Sequence, residues 1–331
     1  MMDQQTRELL IGSVREILAR IEPDHDLAAA LEKLGWDEVR GEDPAIATQI
    51  LFTEHGRVLA RTRALDEVVL AELESILPPA NGRRAFAHPR PDQLRIQAGG
   101  IGALPVPSAE PCGIVFGPLD AVDEIVAVSR ADSGTVCEVV RAADMVRYEP
   151  VDAFDRSLRW TEVVAPTTGG GVRIDELWPR AVAAARRALA AEILGISRAM
   201  LDIAVAHTSG RVQYGKAIGS FQSVRHRLAE AYAELVGAER LLEVASEDDG
   251  EWSAAMCKAD AGRTQRRVAA HALQVCGALG LTQEFALHGF VARGAVLDSL
   301  YLSHRQIEEG LGRELFAQDA VGRNLPRVAV V

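Results

Sequence analysis

Two long segments with helical periodicity, joined by a short polar stretch, constrain the fold of this chain more than any other feature. In the first segment, apolar residues recur every three or four positions, at Leu189, Ile193, Ile196, Met200 and Ile203. The second segment repeats this spacing at Phe221, Val224, Leu228, Tyr232 and Leu235. Because such spacing aligns side chains along one face, each segment predicts a long helix with an apolar stripe. With the Ala-rich run at 254–275, these helices predict a bundle.

The N-terminal part of the chain also has the pattern of helices. Leu27, Leu31 and Leu34 recur at helical spacing, and this run ends at Gly35. Pro44 is placed to open a second helix, because proline is tolerated in the first helical turn. A third apolar run at 65–77 stops at the prolines of residues 78–79. The tail at 297–321 predicts a further helix or a pair of helices.

The segment between residues 81 and 171 has a different composition and predicts a small β domain. It is rich in Pro and Gly, and its β-branched runs at 113–116, 123–129 and 135–140 are typical of short strands between turns. We therefore expect three domains, which are an N-terminal helical domain at residues 1–80, a reduced middle β domain at 81–171 and a C-terminal helical bundle at 172–331. The predicted fold class is mainly α with a small central β domain.

Charge and cysteine usage exclude several classes of function. The formal net charge is −11, so a nucleic-acid partner is not expected, because phosphate binding needs clustered cations. The four cysteines form no C-x-x-C pair and have no histidine at zinc spacing, which indicates reduced thiols and no metal site. The sequence shows neither a signal peptide nor an apolar span long enough for a membrane. We expect a cytoplasmic protein.

The polar link at residues 211–222 carries the most specific chemical signal. It combines the cation Arg211, the aromatic Tyr214, two glycines and two glutamines, of which Gln222 is the last. Arginine suits a diphosphate, and amides suit the edges of a heterocycle. Read as chemistry alone, the link is compatible with a cofactor-binding turn or with an ordinary helix–helix turn that exposes an arginine. Its pattern R-x-Q-[FY]-G-x-x-[IL]-x-x-F-Q resembles the flavin-binding turn of the acyl-CoA dehydrogenase family.

A second segment, at residues 274–284, follows the Ala-rich helix and contains two glycines three positions apart. Glycine at a helix end lets backbone amides approach a ligand closely, although the same feature serves as a plain helix cap. The segment resembles the family motif Q-x-x-G-G-x-G-[FY]-T-x-E, which reaches the cofactor of the other subunit of a dimer. The usual second glycine is Ala278 here, which adds a methyl group beside the expected cofactor contact.

The resemblance implies a fold, a cofactor and a set of binding residues. The fold would have an N-terminal helical domain, a middle β-barrel-like domain and a C-terminal four-helix bundle. The cofactor would be FAD, with Arg211 on its diphosphate, Tyr214 packed against it and Gln222 on its adenosine part. Gln274 and Gly277 would contact the FAD of the opposite subunit. The middle domain departs from the family, because residues 85–90 replace its T-E-x-x-x-G-S-D segment.

The catalytic base of the family has no obvious counterpart. Its usual carboxylate positions fall on Ala185 and on Tyr301 and Leu302 in the simplest alignment. Two glutamates are alternatives. Glu309 lies in a segment similar to Q-I-Y-E-G, but the sequence favours a solvated acidic residue at a helix start. Glu192 lies seven residues after Ala185 on the same helix face, but the sequence favours a position that faces solvent or an ion pair with Arg198 or Arg187. Arg186 corresponds to a family position in the acyl pocket, or is a solvated helix residue.

The resemblance implies FAD-dependent α,β-dehydrogenation of an acyl-CoA, with electron-transfer flavoprotein or a similar acceptor as partner. The short length and the run at 280–288 resemble short actinobacterial members of the family, including subunits of α2β2 enzymes of steroid side-chain breakdown. In that case a partner subunit would supply the catalytic Glu. The alternatives are a homo-oligomer that uses Glu309 or Glu192, and an inactive scaffold. At least a dimer is expected.

Overall fold

Helices form most of the computed structural model, which describes residues 4–22, 27–97, 102–148, 155, 157–158, 160–166 and 170–316. The described α-helices are, in chain order, α1 (Gln4–Arg20), α2 (Leu27–Glu32), α3 (Trp36–Glu42), α4 (Pro44–Val58), α5 (Ala64–Leu73), α6 (Leu177–Gly210), α7 (Gln222–Asp248), α8 (Glu251–Cys276), α9 (Leu287–Ser299) and α10 (His304–Phe316).

Helix α6 is the centre of the molecule. It has 34 residues and packs against α4, α5, α7, α8 and α9. Its N-terminal half is rich in alanine, and Ala181, Ala185 and Ala188 are fully buried. Small side chains let neighbouring helices approach closely, so one helix can be surrounded by five. The two long helices predicted from periodicity are confirmed as α6 and α7, and the Ala-rich run as α8.

The crossing of α4 and α6 depends on two glycines. A Cβ atom at Gly195 would lie 2.0 Å from the carbonyl oxygen of Thr53, and one at Gly56 would lie 2.1 Å from that of Glu192. The two helix backbones are therefore in direct contact. This contact joins the N-terminal helices to the bundle in one hydrophobic core.

The short strands lie between the two helical parts. They are β1 (Arg84–Phe86), β2 (Arg95–Ile96), β3 (Pro105–Val106), β4 (Cys112–Phe116), β5 (Glu124–Ala131), β6 (Gly134–Arg141), β7 (Val146–Tyr148), β8 (Trp160–Val164) and β9 (Val172–Arg173). One sheet has the order β1-β5-β6-β9, in which β1 and β5 are parallel, and another has the order β4-β8-β7. The predicted strands at 113–116, 123–129 and 135–140 are confirmed as β4, β5 and β6.

Of two predicted helix starts, one is confirmed and the other is wrong. The helix opened by Pro44 is confirmed, and the Asp43 side chain caps α4 by accepting a hydrogen bond from the Ile46 amide at 3.0 Å. The start of the predicted tail helix at 297 is wrong. Leu297 belongs to the end of α9, and the positive φ angles of Tyr301 and Leu302 break the chain before α10. Residues 317–321 lie outside the described residues.

The described residues include neither a membrane-spanning helix nor a metal-binding cluster. None of their helices is long and apolar enough to cross a membrane. The same residues contain no cluster of three or more histidine, cysteine or carboxylate side chains arranged to hold a metal ion. The division into domains at residues 80 and 171 stays a prediction.

Candidate functional site

The link between α6 and α7 forms a compact, solvent-facing turn. It contains a two-residue hairpin of β10 (Val212–Gln213) and β11 (Lys216–Ala217), followed by a 3-10 turn at Ile218–Ser220. Tyr214 and Gly215 at the hairpin tip have positive φ angles of 52° and 78°. The tip therefore needs a glycine, which adopts this conformation without steric cost.

The side chains predicted to bind the cofactor all point outward from this turn. Tyr214 is 92% exposed, and Arg211 and Gln222 are also exposed. The Tyr214 ring meets the edge of Phe221 at 6.1 Å, and Lys216 Nζ lies 4.4 Å from the Phe221 ring centroid. Among the described residues, the Arg211 guanidinium has neither a hydrogen-bond acceptor nor a carboxylate partner. An unpaired cation on a rigid turn is suited to an anionic ligand.

The second predicted motif lies at the end of α8. The helix stops at Cys276, and Gly277 takes a φ of 63° with no atom within 4 Å of an added Cβ. Gln274 and Gly277 are exposed, and so is Leu281, at 70%. The ring of Phe285, which follows this loop, lies 5.7 Å from the ring of His207 near the end of α6. The fold therefore brings the neighbourhoods of the two motifs together, and both present open surfaces.

Arg186 is buried, contrary to the reading of a solvated helix residue. Its guanidinium donates hydrogen bonds to the carbonyl oxygens of Gly102 at 2.6 Å, Ala103 at 2.9 Å and Tyr301 at 3.3 Å. Burial lowers the pKa of Arg186 to about 10. The residue thus ties two loops to α6 through their backbones. Its predicted place in an acyl pocket stays a prediction.

The position expected for the catalytic base holds a buried tyrosine. The Tyr301 hydroxyl lies 2.9 Å from His88 Nδ1, and His88 Nε2 lies 2.7 Å from the Asp66 carboxylate. A hydroxyl that donates to Nδ1 and an Nε2–H that donates to Asp66 satisfy all three groups. Burial raises the pKa of Tyr301 well above its usual value, and the Asp66 charge adds to this effect. Tyr301 therefore stays a neutral phenol.

Tyr301 stands at a base position of the family, but Asp66 and His88 were not predicted as site residues. His88 stands in the segment that replaces the family's T-E-x-x-x-G-S-D stretch. Asp66 looks like an ordinary acidic residue in the first turn of α5. Nothing in the sequence pairs residues that are 22 and 213 positions apart.

The two candidate glutamates have opposite environments. The side chain of Glu309 is 61% exposed and forms an ion pair with Arg313 one turn along α10. Glu192 is buried, with Oε1 at 3.0 Å from His55 Nδ1 and 4.0 Å from Arg293. The predicted ion pairs of Glu192 with Arg198 or Arg187 are wrong, because these arginines pair with Glu239 and Asp249. Glu309 is therefore exposed to water, and Glu192, although buried, already contacts His55 and lies near Arg293.

The helical, β and helical parts, arranged around one long bundle helix, are the fold of acyl-CoA dehydrogenases. Among solved structures, the ChsE4-ChsE5 complex from Mycobacterium tuberculosis aligns with a TM-score of 0.70 at 19% identity, over 95% of this chain and 98% of that chain. A Mycobacterium smegmatis glutaryl-CoA dehydrogenase aligns with a TM-score of 0.72 at 17% identity, over 96% and 95%. At such identities the likeness shows the fold.

Sequence comparison identifies the same family. The model of the acyl-CoA dehydrogenase C-terminal domain matches residues 179–319. The acyl-CoA dehydrogenase IpdE2 of Mycobacterium tuberculosis is 29% identical over 296 residues, which are 87% of this chain and 83% of that protein. FadE34 of the same organism is 34% identical over 168 residues, but these are only 22% of its length. The chain is thus similar to acyl-CoA dehydrogenases over its C-terminal half and in its fold, and the predicted resemblance to this family and the predicted fold class are confirmed.

Proposed function

We propose that this chain is the FAD-supporting subunit of an acyl-CoA dehydrogenase, and that a partner subunit supplies the catalytic carboxylate. The reaction would remove a hydrogen pair from the Cα–Cβ bond of an acyl-CoA thioester. The observation that carries the cofactor part is the exposed, unpaired Arg211 on the turn between α6 and α7. The similarity of the chain to acyl-CoA dehydrogenases supports the reaction class.

The residues of the two motifs fit the diphosphate and adenosine part of FAD. Arg211 offers a charge-assisted donor, and the empty space beside Gly277 leaves its backbone open to a bulky ligand. Both motifs face outward, so neither encloses a cofactor within this chain. FAD held on these surfaces would be covered by a second subunit, which agrees with a cofactor that spans an interface.

The partner-supplied base follows from the surroundings of the candidate side chains. An α proton of a thioester is weakly acidic, so its removal needs a carboxylate held close to the substrate and away from water. Ala185 and Leu302 have no acid–base group, Tyr301 is a neutral phenol, and Glu309 is solvated and paired. Glu192 already accepts from His55 and lies close to Arg293.

Each group in this scheme has a defined task. FAD, when bound, would supply a hydride acceptor, and the carboxylate of the partner would take the α proton. Arg211 would neutralise the diphosphate, Gln222 would hydrogen-bond the adenosine part of the same cofactor, and Gln274 would hydrogen-bond the FAD of the opposite subunit. Arg186 holds the backbone of Tyr301 and Ala103, which fixes the loops around the base position. Electrons would then leave to an electron-transfer flavoprotein or a similar acceptor in the cytoplasm.

The class of acyl group is proposed from the relatives. A solved structure with this fold, Tcur3481-Tcur3483, is described as a steroid acyl-CoA dehydrogenase, and the ChsE4-ChsE5 structure is a complex of two different chains. We infer a polycyclic, steroid-derived CoA ester as substrate and an α2β2 assembly as the active form. A homo-oligomer that uses Glu192 or Glu309, and an inactive scaffold, are the alternatives that the assay must separate.

The test is a visible spectrum followed by a turnover assay. The complex of this chain with a candidate partner should show flavin absorbance at about 450 nm. Ferricenium should be reduced only when both chains are present with a steroid side-chain CoA ester. Robust turnover by the chain alone would overturn the partner model. Its loss in Glu192→Gln or in Glu309→Gln would then identify the base. A complex that shows neither flavin absorbance nor turnover would favour the alternative of an inactive scaffold.

A further inference from the structure

A cavity of about 510 Å³ lies between the N-terminal helices and the bundle, away from the flavin-binding turn. Its walls come from α3, α4 and α5 on one side and from α6 and α7 on the other. Trp36, Phe52, Val68 and Leu242 form much of the apolar surface. Native interiors are close-packed and contain few voids larger than a water molecule, so a space of this size is suited to a ligand.

The cavity does not belong to the acyl-CoA site proposed above. Ala184 and Arg187 are the residues of α6 in its wall, and they share a helix face because they are three positions apart. Ala185, at the base position, is two residues from Arg187 and therefore about 200° around the helix. Arg186 also points elsewhere, to the carbonyl groups of Gly102 and Tyr301. A ligand bound in this cavity would not contact the turn at residues 211–222.

Arg187 gives this cavity its chemical character. Its side chain is 15% exposed, and Nη2 forms an ion pair of 2.5 Å with Asp249. The other terminal nitrogen, Nη1, is buried and has no hydrogen-bond partner. A buried donor without an acceptor is unfavourable, and native proteins seldom leave one unpaired. The wall of an apolar cavity thus contains an arginine that lacks one oxygen acceptor.

The charges around Arg187 do not supply this acceptor. Glu72, in the same wall, pairs with Arg180 at 3.1 Å, and Asp43 is engaged in capping α4. Asp249 already contacts the other nitrogen, and its side chain is 78% exposed. A ligand that brings its own oxygen would satisfy Nη1 after a small rotation of the guanidinium toward the cavity.

We propose that this cavity is a second ligand site, for an apolar molecule that carries one hydrogen-bond-accepting oxygen, with that oxygen on Arg187. The oxygen would belong to a carboxylate or to a ketone. The apolar body would lie against Trp36, Phe52 and Leu242. A ligand bound there would bridge α4, α5, α6 and α7 and so stabilise the joint between the N-terminal helices and the bundle.

Three eight- or nine-carbon probes test the site by isothermal titration of the full chain. Octanoate and 2-nonanone offer an acceptor oxygen, whereas octylamine offers only a cation. We expect saturable binding of octanoate, of 2-nonanone or of both, and weaker binding of octylamine, because octylamine has no oxygen to accept a hydrogen bond from Nη1 of Arg187. The stronger of the two acceptors identifies the natural oxygen as charged or neutral. Failure of both acceptor probes to bind would overturn the proposal.

Variants locate the binding. Arg187→Met keeps the aliphatic stem and should weaken octanoate binding roughly ten- to a hundredfold, the effect of a lost charge-assisted hydrogen bond. Arg198→Met, on the same helix but paired with Glu239, is the matched control and should leave binding unchanged. Val68→Trp should fill the cavity and abolish binding. A cooperative thermal unfolding transition would show that this variant is still folded. Equal affinity in wild type, Arg187→Met and Val68→Trp would place the probes elsewhere and overturn the assignment.

Discussion

Arg211 is the residue that tests the cofactor assignment most directly. Replacing it by alanine would remove the proposed charge-assisted contact to the diphosphate without disturbing the core, because the side chain is exposed. We expect FAD to bind about ten- to a hundredfold more weakly, or about 1.5–3 kcal/mol. The measurement is a fluorescence titration of the deflavinated complex, with Arg240→Ala, an exposed arginine of α7, as the control. Unchanged affinity would remove Arg211 from the site.

Arg293 provides a prediction about stability at the same scale. It is fully buried, and it donates to the Asp155 carboxylate and, at 3.0 Å, to the carbonyl oxygen of Ala60. Arg293→Met leaves Asp155 buried without its cation, which should lower the free energy of unfolding by about 3–5 kcal/mol at pH 7. Urea denaturation measures this. Arg240→Met, which breaks an exposed pair, should change it by less than about 1 kcal/mol.

The pH dependence of the Arg293→Met effect has a definite sign. Burial opposes ionisation of Asp155, but Arg293 and Ser157 outweigh it and hold the pKa of this carboxyl below its usual value. A lowered folded-state pKa stabilises the protein above the unfolded value of about 4, and this contribution is lost as the pH falls through the folded value. The difference between wild type and Arg293→Met should therefore shrink in acid. A constant difference down to pH 3 would contradict the pairing.

At the scale of elements, the crossing of α4 and α6 is the contact most sensitive to a single methyl group. Gly195→Ala places a Cβ 2.0 Å from the Thr53 carbonyl oxygen, so the helices must separate. We expect a loss of about 3 kcal/mol in urea unfolding, at the upper end for overpacking. Gly237→Ala in α7 is the matched control, since no atom lies within 4 Å of its added Cβ. That change should stabilise the protein by about 0.5–1 kcal/mol. Equal effects of the two changes would refute the close crossing.

The sequence predicts individual elements better than it predicts their contacts. Periodicity identifies α6, α7 and α8, and Pro44 marks the start of α4 correctly, because these signals are local. The parallel pairing of β1 with β5 and the link from Asp66 through His88 to Tyr301 join distant segments, so no local pattern reports them. Gly56 and Gly195 look like weak points of helices until their partners are known. The turn at 211–222 is recognisable because its residues are contiguous.

At the scale of the whole molecule, the outward-facing motifs lead us to expect assembly with a second subunit. Leu281, beside Gly277, is 70% exposed, and Val212 in the turn is 58% exposed. The proposed FAD-binding surface thus also exposes apolar side chains, and we expect a second subunit to cover it. Leu281→Asp should therefore shift the protein toward monomer in solution scattering and lower FAD retention. Leu9→Asp, at a position 67% exposed on α1, is the control. A monomer with stoichiometric FAD would contradict this prediction.

The central place of α6 has a consequence for the order of events during synthesis. Helices α4 and α5 bury their apolar faces against α6, but about a hundred residues separate the end of α5 from its start. At roughly 5–20 residues per second, a ribosome needs several seconds to cover that distance. During this interval α4 and α5 cannot bury the faces that α6 covers in the folded protein, so these apolar faces stay exposed. We therefore expect the incomplete chain to be prone to aggregation until α6 has been synthesised.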